Sequence, residues 1–215
     1  MHFHELEQQL DGPMAAAAAT AYSARLLEQV SAGTLDVPVV HHPLGFVCLP
    51  VVRDGELGVC LHFFGHGTDT EPGVEPHHAH SWDLTSHVLY GRVAHEPMDV
   101  VESGEPTHRI YEVLSEADGR DEVHPTDTLV HGEPCPPHVC TAGETYRLPA
   151  GLFHASRADG PAATLVLGRS RPGGRDLSLG PVDARGRGRT TTRRRCAGAD
   201  TSRLLRTALR RLHAG

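Results

Sequence analysis

The sequence contains no lysine; all 20 of its basic residues are arginine. That is a codon-bias signature and carries no physical argument by itself. No stretch approaches the roughly 18–20 apolar residues that a membrane-crossing helix needs. The N-terminus, MHFHELEQQL, is acidic and lacks a basic segment ahead of an apolar one, so it does not read as a secretory signal. The later MAAAAATAY is apolar, but its alanines favour helix. A cytoplasmic location with no membrane partner is the expectation. Cysteine is sparse: five residues, odd in number and irregularly spaced, which points to buried reduced thiols. CPPHVC (Cys135, His138, Cys140) has half the donors of a zinc site, but nothing nearby supplies the rest, so a Pro-rich loop is expected.

What is present is turn chemistry. The 23 glycines and 16 prolines favour a β-rich chain over a helical bundle. A short helix is predicted over 4–10, ended by Asp11-Gly-Pro13. Ala15, Ala19, Tyr22, Leu26 and Val30 then recur at helical spacing. From Val37 the period changes to short β-branched or apolar runs, at 84–94, 97–102, 107–115, 127–131, 144–149 and 162–168 among others. About ten strands with no helix between them mean a sandwich or barrel. A hairpin is predicted around Asp54-Gly55, pairing Cys48 with Leu61 and Cys60 with Leu49, so that the two thiols are not directly opposed. Three segments follow: residues 1–36 helical, 37–168 a β-barrel, and 169–215 a tail.

The tail is set apart by charge. Residues 1–168 hold 7 Arg against 24 Asp and Glu, whereas 169–215 hold 13 Arg against 3 Asp. Residues 170–200 read as disordered or loosely draped. Leu204, Leu205, Ala208, Leu209 and Leu212 predict a short amphipathic helix capped at Thr201 or Ser202. No aromatic residue interleaves with the arginines to stack bases, so nucleic acid is not the expected partner. The tail is expected to lie on the acidic body of its own or a neighbouring subunit.

Residues 75–93, EPHHAHSWDLTSHVLYGRV, place four histidines, one aspartate and the only tryptophan together. On a strand, positions i and i+2 share a face, so His78 and His80 aim two imidazoles the same way, while His77 faces away. Far downstream, GETYRLPAGLFHAS has Gly143 turning into a strand, a tight turn at Pro149-Ala-Gly151, and His154 opening the returning strand. A histidine there can be aimed into a barrel as a third ligand.

With these two motifs the chain resembles the cupin superfamily. Gly143, Pro149, Gly151 and His154 match the G-x5-P-x-G-x2-H pattern, with Arg157 or Ala158 where the pattern has asparagine; His78, His80 and Gly91 match the other motif. The resemblance spans roughly residues 40–168. It implies an all-β fold, a double-stranded β-helix or jelly-roll barrel, holding one divalent metal ion. Where the pattern has glutamate, this chain has Leu84 and Thr85, and Asp83 is the nearest carboxylate. The implied ligands are therefore His78, His80 and His154, as in thiol-dioxygenase-like cupins, with Asp83 as a fourth in the alternative shell. Counting back from Gly91 points Leu84, Ser86, Val88 and Tyr90 to one face and His87 to the other.

Tyr90 and Arg92 share the inward parity if the strand continues unbroken, and Tyr146 is a phenol on another strand; these are the candidate catalytic residues. Tyr111 and His62 are further candidate barrel-lining residues. An inward arginine would suit an anionic substrate. A three-nitrogen face with open positions suits a metal that binds substrate. The leading expectation is a mononuclear non-haem Fe(II) oxygenase acting on a small, anionic organic molecule, with Zn, Ni, Mn or Cu as alternative metals. A redox-neutral isomerase or lyase and a small-molecule sensor are the other readings. A homodimer through barrel edges is common among cupins and is expected on that ground alone.

Overall fold

A computed structural model describes residues 3–66, 70–71, 74–116, 118–183 and 188–214. Local sequence accounts for the helices. α1 (Phe3–Leu10) and α2 (Ala15–Ser31) flank the Asp-Gly-Pro stop. Ala19, Tyr22 and Leu26 of the expected stripe are buried, with Ser23 and Leu27 beside them. α3 (Gly198–Leu212) buries Leu204, Leu205, Ala208 and Leu212. It starts earlier than the predicted cap. Ala197 stands at its N-terminal boundary without a side-chain bond, and Thr201 N–H already donates within the helix, to the Ala197 carbonyl at 2.8 Å.

The strands form two antiparallel sheets. The six-stranded sheet has the order β1 (Val40–His42), β2 (Phe46–Asp54), β3 (Leu57–Phe64), β12 (Ala162–Ser170), β5 (Trp82–Tyr90), β10 (Thr145–Leu148). The eight-stranded sheet has the order β14 (Arg189–Thr192), β8 (Arg120–Pro134), β7 (His108–Ser115), β13 (Leu177–Gly180), β4 (His78–Ala79), β11 (His154–Ala158), β6 (Arg92–Val101), β9 (His138–Thr141).

The six-stranded sheet is covered on both faces. Val47, Leu49, Val59, Leu61, Phe63 and Leu165 pack against Leu6, Leu27 and Leu205 of the three helices. The alternate positions, Phe46, Cys48, Phe64 and Val166, line the space between the sheets. Burial on both faces explains why these strands read as continuous apolar runs rather than as alternating ones. Each leucine so buried contributes about 1.5–3 kcal/mol.

Three expectations need correction. The described part of the tail is not loosely draped: β13 pairs with both β4 and β7, and β14 pairs with β8, while residues 184–187 lie outside the described residues. Composition misled because charge and glycine content do not report which backbone groups a sheet edge can pair. The arginines do lie on the acidic body, Arg169 on Glu7 and Arg193 on Asp121. The hairpin register is shifted: by two residues at the turn, where Asp54 pairs with Leu57, and by one beyond an irregularity between Pro50 and Val52, so that Cys48 faces His62. Finally, the 84–94 run is two strands. Gly91 breaks it at φ 81°, where an added Cβ would lie 2.6 Å from the Pro161 carbonyl oxygen, so only glycine fits the corner.

Candidate metal centre

The antiparallel pairing of β4 with β11 sets His78 directly opposite His154, and His80 follows two residues along. The ring centroids are 4.6 Å apart for His78 and His154, 4.7 Å for His78 and His80, and 5.2 Å for His80 and His154. One ring nitrogen from each lies within 4.8 Å of the other two. Bonds of about 2.0–2.2 Å place the nitrogens of one ion about 3–3.5 Å apart, so closure onto a metal takes at most about 1–2 Å of side-chain movement.

The tautomers are fixed by the backbone. His78 Nδ1 donates to the Pro76 carbonyl at 2.9 Å, and His154 Nδ1 donates to the Leu152 carbonyl at 3.0 Å. A carbonyl only accepts, so the proton sits on Nδ1 and the Nε2 lone pair is free for an ion. Burial also keeps the rings neutral. It lowers His78 and sets His80 well below the usual imidazole range, with neighbouring imidazoles adding to the effect on His80. It pushes His154 down to about 3. His80 also stacks on Trp82 at 4.2 Å, which restricts its ring.

The turn before His154 behaves as its motif predicts, and it is fastened to the other motif. Gly151, at φ 82°, donates its N–H to the His80 carbonyl at 2.9 Å. Asp83 Oδ1 accepts the Ala150 N–H at 2.9 Å, and its other oxygen pairs with Arg171. These two contacts hold the Asp83 carboxyl below its ordinary value, Arg171 first. The structure thus leaves Asp83 out of the imidazole group and gives it another task, clamping the turn that carries His154.

The candidate catalytic residues separate. Tyr146 stays in the cavity that the three imidazoles line; its ring stacks at 5.2 Å on His95, and burial pushes its phenol up to about 12. Tyr90 leaves it. Ala163 pairs with Tyr90 while the next residue, Thr164, pairs with Val88, so Leu89 is bulged out and the parity inverts. Tyr90 therefore packs in the helix-covered cluster, under Arg211 at 5.4 Å. Arg92 is exposed on the first position of β6. Both expectations rested on an unbroken strand, which the bulge and the Gly91 corner remove. His77 and His87 stay out of the imidazole group, as strand parity predicts, and His87 Nδ1 bonds Thr145 Oγ1 at 2.8 Å.

Sequence reading missed the arginines that do line the cavity, Arg53, Arg157 and Arg193. Arg193 comes from the tail and is held by Asp121 at 2.6 and 2.9 Å and by Ser115 at 2.7 Å. No spacing in the sequence could signal it, because it arrives through the pairing of β14. His42 and His62 line the same cavity, with Phe46 between them at 4.4 and 4.6 Å. The cavity measures about 450 Å³, within the range of small-molecule sites.

Three neutral nitrogens suit Fe, Zn, Cu, Ni or Mn, so the donor set fits the ion that the motifs imply. Two antiparallel sheets enclose a cavity, with three imidazoles on its wall, which is the jelly-roll arrangement that the sequence resemblance implies. No family model and no curated protein matches the sequence. Among solved structures, similarity extends to a cupin superfamily protein from Desulfitobacterium hafniense (10% identity over 59% of this chain and 78% of that one, TM-score 0.34). It also extends to a DMSP lyase from Ruegeria pomeroyi (18%, 66% and 54%, 0.34) and to hydroxypropylphosphonic acid epoxidase from S. wedmorenis (12%, 60% and 54%, 0.36). The chain spans about half the length of the last two.

Proposed function

We propose that this chain is a mononuclear metal-dependent enzyme whose ion is held by His78, His80 and His154, with Fe(II) as the metal and oxygenation of a small organic acid as the reaction. One observation carries the reading: three neutral imidazoles converge on the wall of a cavity, and among the described residues no carboxylate joins them. Such a face fills three of the positions an octahedral ion offers and leaves the rest for substrate and a second ligand. The metal, when bound, supplies Lewis acidity and, as iron, redox chemistry with O₂. The chain's own residues do the rest. The Pro76 and Leu152 carbonyls orient two imidazoles, Trp82 restricts the third, and Arg53, Arg157 and Arg193 put guanidinium groups on the cavity wall for an anionic substrate, the last two paired with Glu96 and Asp121.

Purification under anaerobic conditions, elemental analysis and O₂ uptake with candidate small acids and thiols test this. Iron together with substrate-coupled O₂ consumption is the expected result. His154→Ala is expected to lose the metal; a variant with full occupancy overturns the ligand set. Tyr146 favours one second reading, a redox-neutral isomerase or lyase, because a phenol that burial keeps protonated lines the same cavity as the three imidazoles. Turnover in the absence of O₂ would decide for it.

A further inference from the structure

The cavity holds a second set of metal donors on its opposite wall. His78 on β4 and His154 on β11 belong to the eight-stranded sheet, and His80 directly follows β4. Cys48 on β2, with Cys60 and His62 on β3, belongs to the six-stranded sheet and lines the same space. One ligand atom from each of these three lies within 4.8 Å of the other two. The shifted hairpin register creates the set, because Cys48 faces His62 and Cys60 faces Pro50, which puts all three side chains on the inner face.

We propose that Cys48, Cys60 and His62 form a second metal site, specific for a thiophilic ion of the zinc class. The two sulfurs and one nitrogen are the donor set that such an ion selects, at about 2.3 and 2.0 Å respectively. Tetrahedral bonds of that length put ligand atoms about 3.3–3.8 Å apart, about one ångström closer than the bound given by the structure. A disulfide is the competing use of two neighbouring cysteines, and the register disfavours it. Cys48 and Cys60 are diagonal, not opposed, and diagonal partners in an antiparallel pair have Cα atoms about 7–8 Å apart, beyond the roughly 7 Å that a disulfide spans without backbone movement. An ion bridges the extra distance through two bonds. Three protein ligands leave the fourth tetrahedral position to water or substrate, so a molecule in the cavity would meet a nitrogen-bound ion on one wall and a sulfur-bound ion on the other.

The test uses the full-length protein, reduced, stripped with chelator under anaerobic conditions and titrated with Co(II). The expected result is two equivalents bound, one of them with the near-ultraviolet thiolate-to-cobalt charge-transfer band. Replacing both cysteines (Cys48→Ser with Cys60→Ser) should abolish that band and one equivalent. His154→Ala should remove the other equivalent and leave the band, which separates this proposal from the three-histidine reading. Saturation of the wild type without the band overturns the proposal and needs no variant to fold. A band that survives the double substitution, or thiol titration that finds Cys48 and Cys60 joined as a disulfide in the anaerobically isolated protein, also overturns it.

Discussion

If Asp83 clamps the His154 turn instead of binding metal, its two substitutions should behave differently. Asp83→Asn keeps an oxygen acceptor for the Ala150 N–H and gives up the charge; Asp83→Ala gives up both. The Ala150 bond is 2.9 Å long and goes to a carboxylate, a type of contact that contributes about 1.5–3 kcal/mol when buried. Asp83 is 31% exposed, so solvent screening brings the figure down to about 1–1.5 kcal/mol. The Arg171 pair adds little, because Arg171 is more than half exposed. About 1.4 kcal/mol is a factor of ten, and loss of a group that orients a ligand costs about 10–100-fold in metal affinity. Asp83→Ala should therefore weaken binding by about tenfold, and Asp83→Asn by less than about threefold. Calorimetric titration of the stripped variants with Fe(II) or Zn(II), read beside chemical denaturation, measures both effects. Equal losses in the two variants would refute the reasoning, since a clamp needs only the acceptor, whereas a ligand needs the carboxylate.

Removing residues 170–215 should abolish folding: α3 alone buries Leu204, Leu205 and Leu212, worth roughly 5–9 kcal/mol against a total of about 5–15 kcal/mol. A soluble truncation with cooperative unfolding would contradict this. Gly91→Ala should cost at least about 1–3 kcal/mol from its backbone conformation, and more from the Pro161 contact; a melting temperature within a degree of wild type would argue against the corner. Burial holds His87 below the ordinary imidazole value. The unfolded chain then binds the extra proton, so stability of the metal-free protein should be full above about pH 6.5 and fall below it, by up to about 1.4 kcal/mol per pH unit from this residue. Denaturation midpoints at pH 7.5 and 5.5 check the sign, and His87→Gln should lessen the slope by this residue's share, the other buried histidines supplying the rest.

Much of the site was legible because its determinants are local. His78 and His80 share a face through the two-residue period of a strand, and the turn at Pro149–Gly151 follows from the dihedral limits of proline and glycine. The helical stripes at Ala19, Tyr22 and Leu26 and at Leu204, Leu205 and Ala208 follow from the 3.6-residue period. Parity arguments failed only where the ladder is irregular. The bulge at Leu89 turned Tyr90 outward, and a single-residue shift in the hairpin turned Cys48, Cys60 and His62 into one inward group. Neither irregularity has a local signature, because a bulge is decided by what the partner strand can pair.

The sequence by itself determined a β sandwich or barrel, through short-range periodicity and turn chemistry, and its resemblance to cupins pointed to His78, His80 and His154. Tertiary structure decided the rest. It placed Arg193 in the cavity and the tail in the sheet, and it assigned Asp83 to the Ala150 amide. These outcomes depend on contacts between residues up to about a hundred positions apart, and their register and packing are set only when the whole barrel closes.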